Sequence, residues 1–161
     1  MNKIELQNES KERHSLIPAV HLFLIKEDKI LLLRRYNTGF EDDNYSVPAG
    51  HIEKSEPATA TLIRESKEEI GVNLSFDSIK FCEIMHRKES DEERIDLFFT
   101  AEKWCGEIKI MEPQKCDDLS WFAFDNLPIN LVPYVKAAIE AFNSGALYTE
   151  FGWESIREGR R

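Results

Sequence analysis

From Gly50 to Val72 the chain reads GHIEKSEPATATLIRESKEEIGV, and this stretch restricts the fold more than any other. Ser55 as a cap, Pro57 in the first turn and Gly71 as a stop predict a helix ending at Ile70. Thr59, Leu62, Ile63, Ser66 and Ile70 share one arc of about 100°, the stripe that a helix lays on a sheet. Glu65, Glu68 and Glu69 fall on the adjacent arc, in the last two turns. Carboxylates are disfavoured there, because a helix C-terminus already carries about half a negative charge. Like charges three and four residues apart cost a further few tenths of a kcal/mol, roughly, per pair. Such a helix packs by one side and keeps an acidic edge at the surface. It also requires a cation that the sequence does not supply.

The flanking segments give the helix a sheet to pack on. Residues Ile17 to Ile25 and KILLLRR, ending at Arg35, read as a hairpin turning through Lys26, Glu27 and Asp28. The loop YNTGFEDDN leads to a short strand, YSVP, which Pro48 ends. Strand-like segments follow over Ser78 to Arg87, Arg94 to Lys103 and LSWFAF, and LVPYVKAAIEAFNSG forms a second amphipathic helix. The simplest assembly is an α/β domain over residues 1–145, with a mixed sheet between two helices and an N-terminal extension of about fifteen residues. Residues 146–161 form a tail, partly docked through Tyr148, Phe151 and Trp153 and frayed at REGRR.

Composition excludes several classes. A net charge of −9 argues against a nucleic-acid polymer as main partner, since phosphate-backbone binding needs a basic face. No apolar run approaches the length of a bilayer span, and the first fifteen residues lack the apolar core of a signal peptide. Cys82, Cys105 and Cys116 form no CxxC pair and are odd in number, which suits a reducing cytoplasm.

Gly50, Glu56, Arg64, Glu65, Glu68, Glu69, Gly71 and Val72 fall at the spacing of the Nudix box, and the chain resembles the Nudix hydrolase family in its MutT-like branch. One position departs: Ser66 stands where an aliphatic residue is usual, on the packing side of the helix. The resemblance covers roughly residues 17–143 and implies a Nudix fold, an α/β/α sandwich around a curved mixed sheet. It also implies Mg²⁺, with Mn²⁺ as a substitute, held by Glu65, Glu68, Glu69 and the Gly50 carbonyl. Hard divalent ions take oxygen ligands and share their shell with substrate phosphates, so a few glutamates on one helix edge suffice. By the same resemblance Glu53 is expected as an outer-shell or ligand contributor, and Glu56 and Arg64 are expected to pair with neighbouring carboxylates and hold the loop and helix in shape. The general base stays open among Glu65, Glu68 and Glu112, the last on a loop that reaches the metal site in MutT-like proteins.

The resemblance implies a nucleoside diphosphate linked to a group X, first a nucleoside triphosphate cleaved to monophosphate and pyrophosphate. An ADP-ribose or NDP-sugar, or a non-catalytic nucleotide-sensing module, is the alternative. Arg34 or Arg35 is expected near the phosphates and Asn130 at a purine edge or else in the turn before the second helix; Phe40 and Tyr45 are candidates to stack on a base, with core or loop packing as their first reading and Phe40 kept among the substrate contacts. His21, His51 and His86 lack metal-ligand spacing and read as packed or surface residues, with His51, next to Gly50, as the exception to watch. A homodimer is common in the family. A bland alternative makes the aromatic tail an interaction element.

Overall fold

The structure is a computed structural model that describes residues 14–153. The expected N-terminal extension, up to Arg13, and the REGRR end lie outside the described residues.

Strands β1 (Ile17–Lys26) and β2 (Lys29–Arg35) form the expected hairpin. Its turn has only two residues, Glu27 and Asp28, with φ of 50° and 58°. Two successive left-handed residues match the right-handed twist of the flanking strands. Short strands β3 (Tyr45–Ser46) and β4 (Ala49–His51) precede helix α1 (Ala58–Ile70). Strands β5 (Ile79–Glu89), β6 (Glu92–Ala101) and β7 (Cys116–Ala123), helix α2 (Pro133–Ser144) and strand β8 (Tyr148–Phe151) complete the chain.

Strand β1 is the branch point of an eight-stranded mixed sheet. On one edge it runs parallel to β6 from Ile17 to Leu24. Along the other edge, Ala19 to His21 pair with β4, and Ile25 and Lys26 pair with β2. The sheet therefore forks beside Leu22, whose N–H donates to the Pro48 carbonyl at 2.8 Å. That fork places Gly50 in β4 opposite Val20 of β1 and sets α1 against β1 and β4.

Side-chain alternation divides the interior into two layers. Val20, Leu22 and Leu24 pack with Leu62 and Ile70 of α1, whereas Phe23, Ile30 and Leu32 pack with Val135, Ala138 and Ile139 of α2. A sheet apolar on both faces has to be covered twice, which yields the α/β/α sandwich. Tail residues Tyr148 to Phe151 extend the sheet as a parallel edge strand on β5. Trp153 anchors the end of that strand: its Nε1–H donates to the His86 carbonyl at 2.9 Å, and its ring lies 4.6 Å from the His86 ring.

The start of α1 differs from expectation. Ser55 adopts φ +67° in the preceding turn and caps nothing, and Pro57 is itself the N-cap, outside the first turn. Thr61 replaces Thr59 on the buried arc, because its hydroxyl donates to Glu56 Oε2 at 2.8 Å. Ser66 is buried and its hydroxyl donates to the Leu62 carbonyl at 2.6 Å. A polar residue is tolerated in the apolar stripe because the helix itself satisfies it.

Candidate active site

The helix ends where the sequence indicates. Gly71 takes φ 75°, and its N–H closes on the Lys67 carbonyl at 3.2 Å. The last carbonyls of a helix lack intrahelical partners. Here the chain after β6 supplies them: the N–H groups of Lys109 and Met111 donate to the Ile70 and Glu69 carbonyls, each at 3.1 Å. This docking delivers Glu112 to the acidic end of α1, where its charge acts on both Glu65 and Glu69.

Four glutamates thus share the site in different surroundings. Burial pushes the Glu69 carboxyl up to about 8; the Ala49 N–H, donating at 3.0 Å, opposes that shift, and the Glu65 and Glu112 charges add to it. Glu65 is also raised by burial, against the pull of Arg64. Its carboxylate lies close against the Gly50 backbone, so that a Cβ at Gly50 would fall 2.0 Å from Glu65 Cδ. Gly50 is therefore dictated by the close approach. Glu68 is the outermost of the group, with its side chain 54% exposed. Lys115 Nζ holds Glu112 Oε1 at 2.8 Å.

Arg64 is the internal cation of this array. Its guanidinium grips both oxygens of Glu56 at 3.0 Å, Glu65 Oε1 at 2.6 Å and Glu68 Oε2 at 3.1 Å. Hydrogen bonds from Arg64, then Thr61, hold the Glu56 carboxyl down at about 2. The Glu53 N–H donates to the same carboxylate at 3.4 Å, while the Glu53 side chain is exposed. Among the described residues no three acidic, histidine or cysteine side chains are grouped as a ready-made metal cage. The donors nevertheless fit a hard divalent ion: every group at the end of α1 offers oxygen, and two carboxylates there are pushed towards protonation by burial first and by their acidic neighbours second.

A cavity of about 620 Å³ opens beside Gly50, lined by Arg35, Phe40, His51, Arg87, Arg94 and Tyr134 among others. Its size is that of a small-molecule site. Phe40 is presented by a built loop, in which Asp42 accepts the Thr38 and Gly39 N–H groups at 2.8 and 2.9 Å and Arg35 Nε donates to the Phe40 carbonyl at 2.7 Å. Opposite, the Arg87 guanidinium lies 3.9 Å over the Tyr134 ring and donates to Asp96 Oδ2 at 2.6 Å.

The expected substrate contacts sort cleanly. Arg35 and Phe40 line the cavity. Arg34 does not; a two-pronged ion pair with Asp117, at 2.7 and 3.0 Å, consumes its guanidinium. Asn130 is not beside the cavity either, and it is not a helix cap. Its side-chain amide donates to the Asp43 carbonyl at 2.6 Å and its backbone carbonyl accepts the Tyr45 N–H at 2.7 Å, so it braces the Phe40 loop. Tyr45 turns to Asp118, at 2.6 Å, and Phe122. His21 is buried and stacked on Phe98, the His86 ring packs at a tilt against Trp153, and His51 lies at the cavity lip. Sequence reasoning missed Arg87, Arg94 and Tyr134, because only the β5–β6 pairing and the α2 contact bring them to one wall.

Comparison with known proteins defines the class. Residues 15–142 match the NUDIX domain, and the chain belongs to the Nudix hydrolase family. It is 31% identical over 113 residues to the "NAD-capped RNA hydrolase NudC" of Stutzerimonas stutzeri (strain A1501), covering 70% of this chain and 38% of that protein. The chain thus spans well under half the length of such curated relatives. Its fold is similar to the crystal structure of a MutT NUDIX hydrolase from Burkholderia pseudomallei, with TM-score 0.73 and 24% identity over 79% of this chain and 98% of that one. A UDP-X diphosphatase gives TM-score 0.64 and 20% identity, over 88% and 70% of the two chains.

Proposed function

We propose that this protein is a divalent-cation-dependent hydrolase that cleaves a nucleoside diphosphate linked to a group X, with Mg²⁺ as the cation and Mn²⁺ as a substitute. The observation that carries the reading is the meeting of Glu65, Glu69 and Glu112 at the end of α1, beside a cavity that begins at Gly50. Glu65, Glu68, Glu69 and the Gly50 carbonyl would hold the cation, which supplies charge for the diphosphate oxygens and a more acidic water. Glu112, oriented by Lys115, accepts the proton of the attacking water. Arg64 keeps the glutamates splayed along the helix edge through its fork. Phe40 and Tyr134 bound the space for the nucleoside or X, and Arg35 lies where the chain enters it.

A nucleoside triphosphate, giving monophosphate and pyrophosphate, is the first substrate class. A dinucleotide of the NAD type is the second, favoured by the names of the curated relatives and by a cavity large enough for a nucleoside. No helix among the described residues is long and apolar enough to cross a membrane. We place the protein in the cytoplasm on its unpaired cysteines.

Phosphate and pyrophosphate release, together with mononucleotide formation, should be measured over a panel of nucleoside triphosphates, NDP-sugars and NAD. Mg²⁺ or Mn²⁺ should support turnover by wild type, and Glu68→Gln should lower kcat by at least about tenfold. Absence of turnover on every diphosphate tested would refute the enzyme reading; full activity of Glu68→Gln would refute its ligand set.

A further inference from the structure

One hydrogen bond in the cavity wall has a direction set by chemistry alone. Arg94 Nη1 lies 2.9 Å from His51 Nε2. A guanidinium offers only N–H groups, so Nε2 is the acceptor and the imidazole is neutral, with its hydrogen on Nδ1. Arg94 is itself fixed, because its other terminal nitrogen is paired with Glu92. The ring is thereby held as a one-way donor, one residue beyond Gly50 and at the lip of the cavity.

The surroundings favour a directed donor over a general attraction for anions. Arg94 stands directly opposite Arg87 across β5 and β6. Opposed like charges are unfavourable in a sheet. Here they are offset by Asp96 and Glu89 on Arg87 and by Glu92 on Arg94. The arginines lining the cavity are thus matched by Glu89, Asp91 and Glu92 in the same wall, and selectivity falls to the few N–H groups whose directions are fixed.

We infer that His51 donates its Nδ1–H to an oxygen at the junction between the substrate's diphosphate and the group seated in the cavity, with Arg94 as the positioning residue. This rests on the diphosphate reading given above. A neutral donor meeting a phosphate oxygen forms a charge-assisted hydrogen bond, stronger than a neutral pair. The donor acts on bound substrate from the first encounter, so its loss falls mainly on KM.

The side-chain amides separate this role from packing. An asparagine amide reaches only the place of Nδ1 and can supply the same donor; a glutamine amide reaches the place of Nε2 and meets Arg94 instead. KM, kcat and the Kd of a methylene-bridged, non-cleavable diphosphate analogue are to be measured for wild type, His51→Gln, His51→Asn and Arg94→Met. His51→Gln should raise KM and the analogue Kd about tenfold, with kcat changed less than about twofold. His51→Asn should recover both to within about threefold of wild type, and Arg94→Met should resemble His51→Gln. Equal losses for the Asn and Gln variants, or a loss confined to kcat, would overturn this assignment while leaving the enzyme reading intact. A wild-type protein that neither binds the analogue nor cleaves any diphosphate would overturn both.

Discussion

Replacing Asp96 with asparagine tests whether the charged floor beneath the cavity is built as described. Asp96 is fully buried, with Oδ2 accepting from Arg87 Nε at 2.6 Å and Oδ1 3.2 Å from His21 Nε2. Burial pushes its carboxyl up, but the contacts with His21 and with the Arg87 guanidinium outweigh burial and hold it at about 2, from a usual 3.8. A carboxyl depressed on folding contributes stability above its unfolded value and loses it as pH falls towards the folded one. The displacement corresponds to roughly 2.5 kcal/mol at neutral pH, of which about 1 kcal/mol is lost between pH 6 and pH 3. Asp96→Asn removes the charge and leaves the buried Arg87 Nε side of the guanidinium without its carboxylate, Glu89 alone remaining on Nη1, which costs about 3 kcal/mol at pH 6. For a domain of this size that lowers Tm by roughly 6–12 °C. Urea unfolding of both proteins at pH 6 and pH 3 provides the assay. The stability gap should narrow by about 1 kcal/mol at the lower pH. A gap that stays constant, or one near zero at pH 6, would refute the placement of Asp96 as the ionised partner of Arg87.

Three other substitutions have outcomes set by the geometry. Gly152 has φ +80°, and a Cβ there would fall 2.0 Å from the Lys88 carbonyl oxygen, so Gly152→Ala should pull Trp153 away from His86, and the tryptophan fluorescence should shift red. At Gly50 the obstacle is the movable end of Glu65, so Gly50→Ala should displace that carboxylate, weaken Mg²⁺ binding by about tenfold in calorimetry, and shift Tm by less than about 3 °C. Saturating Mg²⁺, at roughly a hundred times its Kd, should stabilise wild type by about 2.7 kcal/mol. Glu69→Gln should retain less than about half of that gain in a thermal-shift titration, because the carboxyl raised to about 8 is the one most in need of a cation.

What the sequence discloses here tracks how local each cause is. The end of α1 is legible because glycine at C′ and the apolar period act within one helix. The hairpin is legible for the same reason, since β1 and β2 are joined by two residues in left-handed conformation. Ser55 misleads because capping preference competes with the turn before it, in which that residue takes φ +67° and Thr61 turns inward to Glu56. Asn130 misleads because its partners, Asp43 and Tyr45, lie more than eighty residues earlier in the chain. The cavity wall is the least legible part. Arg87 and Arg94 become neighbours only through the β5–β6 register, and Tyr134 reaches them only once α2 covers that face.

The acidic edge itself resolves into separate pairings. Arg64 answers Glu56, Glu65 and Glu68; the Ala49 N–H answers Glu69; Lys115 answers Glu112. Only the last of these partners lies outside the stretch from Ala49 to Glu69, so the fold can close with the glutamates held apart. The compensation is incomplete where burial is deepest. Glu69 has a single backbone donor against the charges of Glu65 and Glu112, and its carboxyl is pushed up to about 8. Glu65 is raised too, although Arg64 holds it at 2.6 Å. A divalent ion entering there would meet one carboxyl that must release its proton and another that must loosen its arginine. On the proposed ligand set, affinity for the cation would be coupled to the Arg64 fork, because the arginine that pairs with Glu65 and Glu68 would have to yield to the ion.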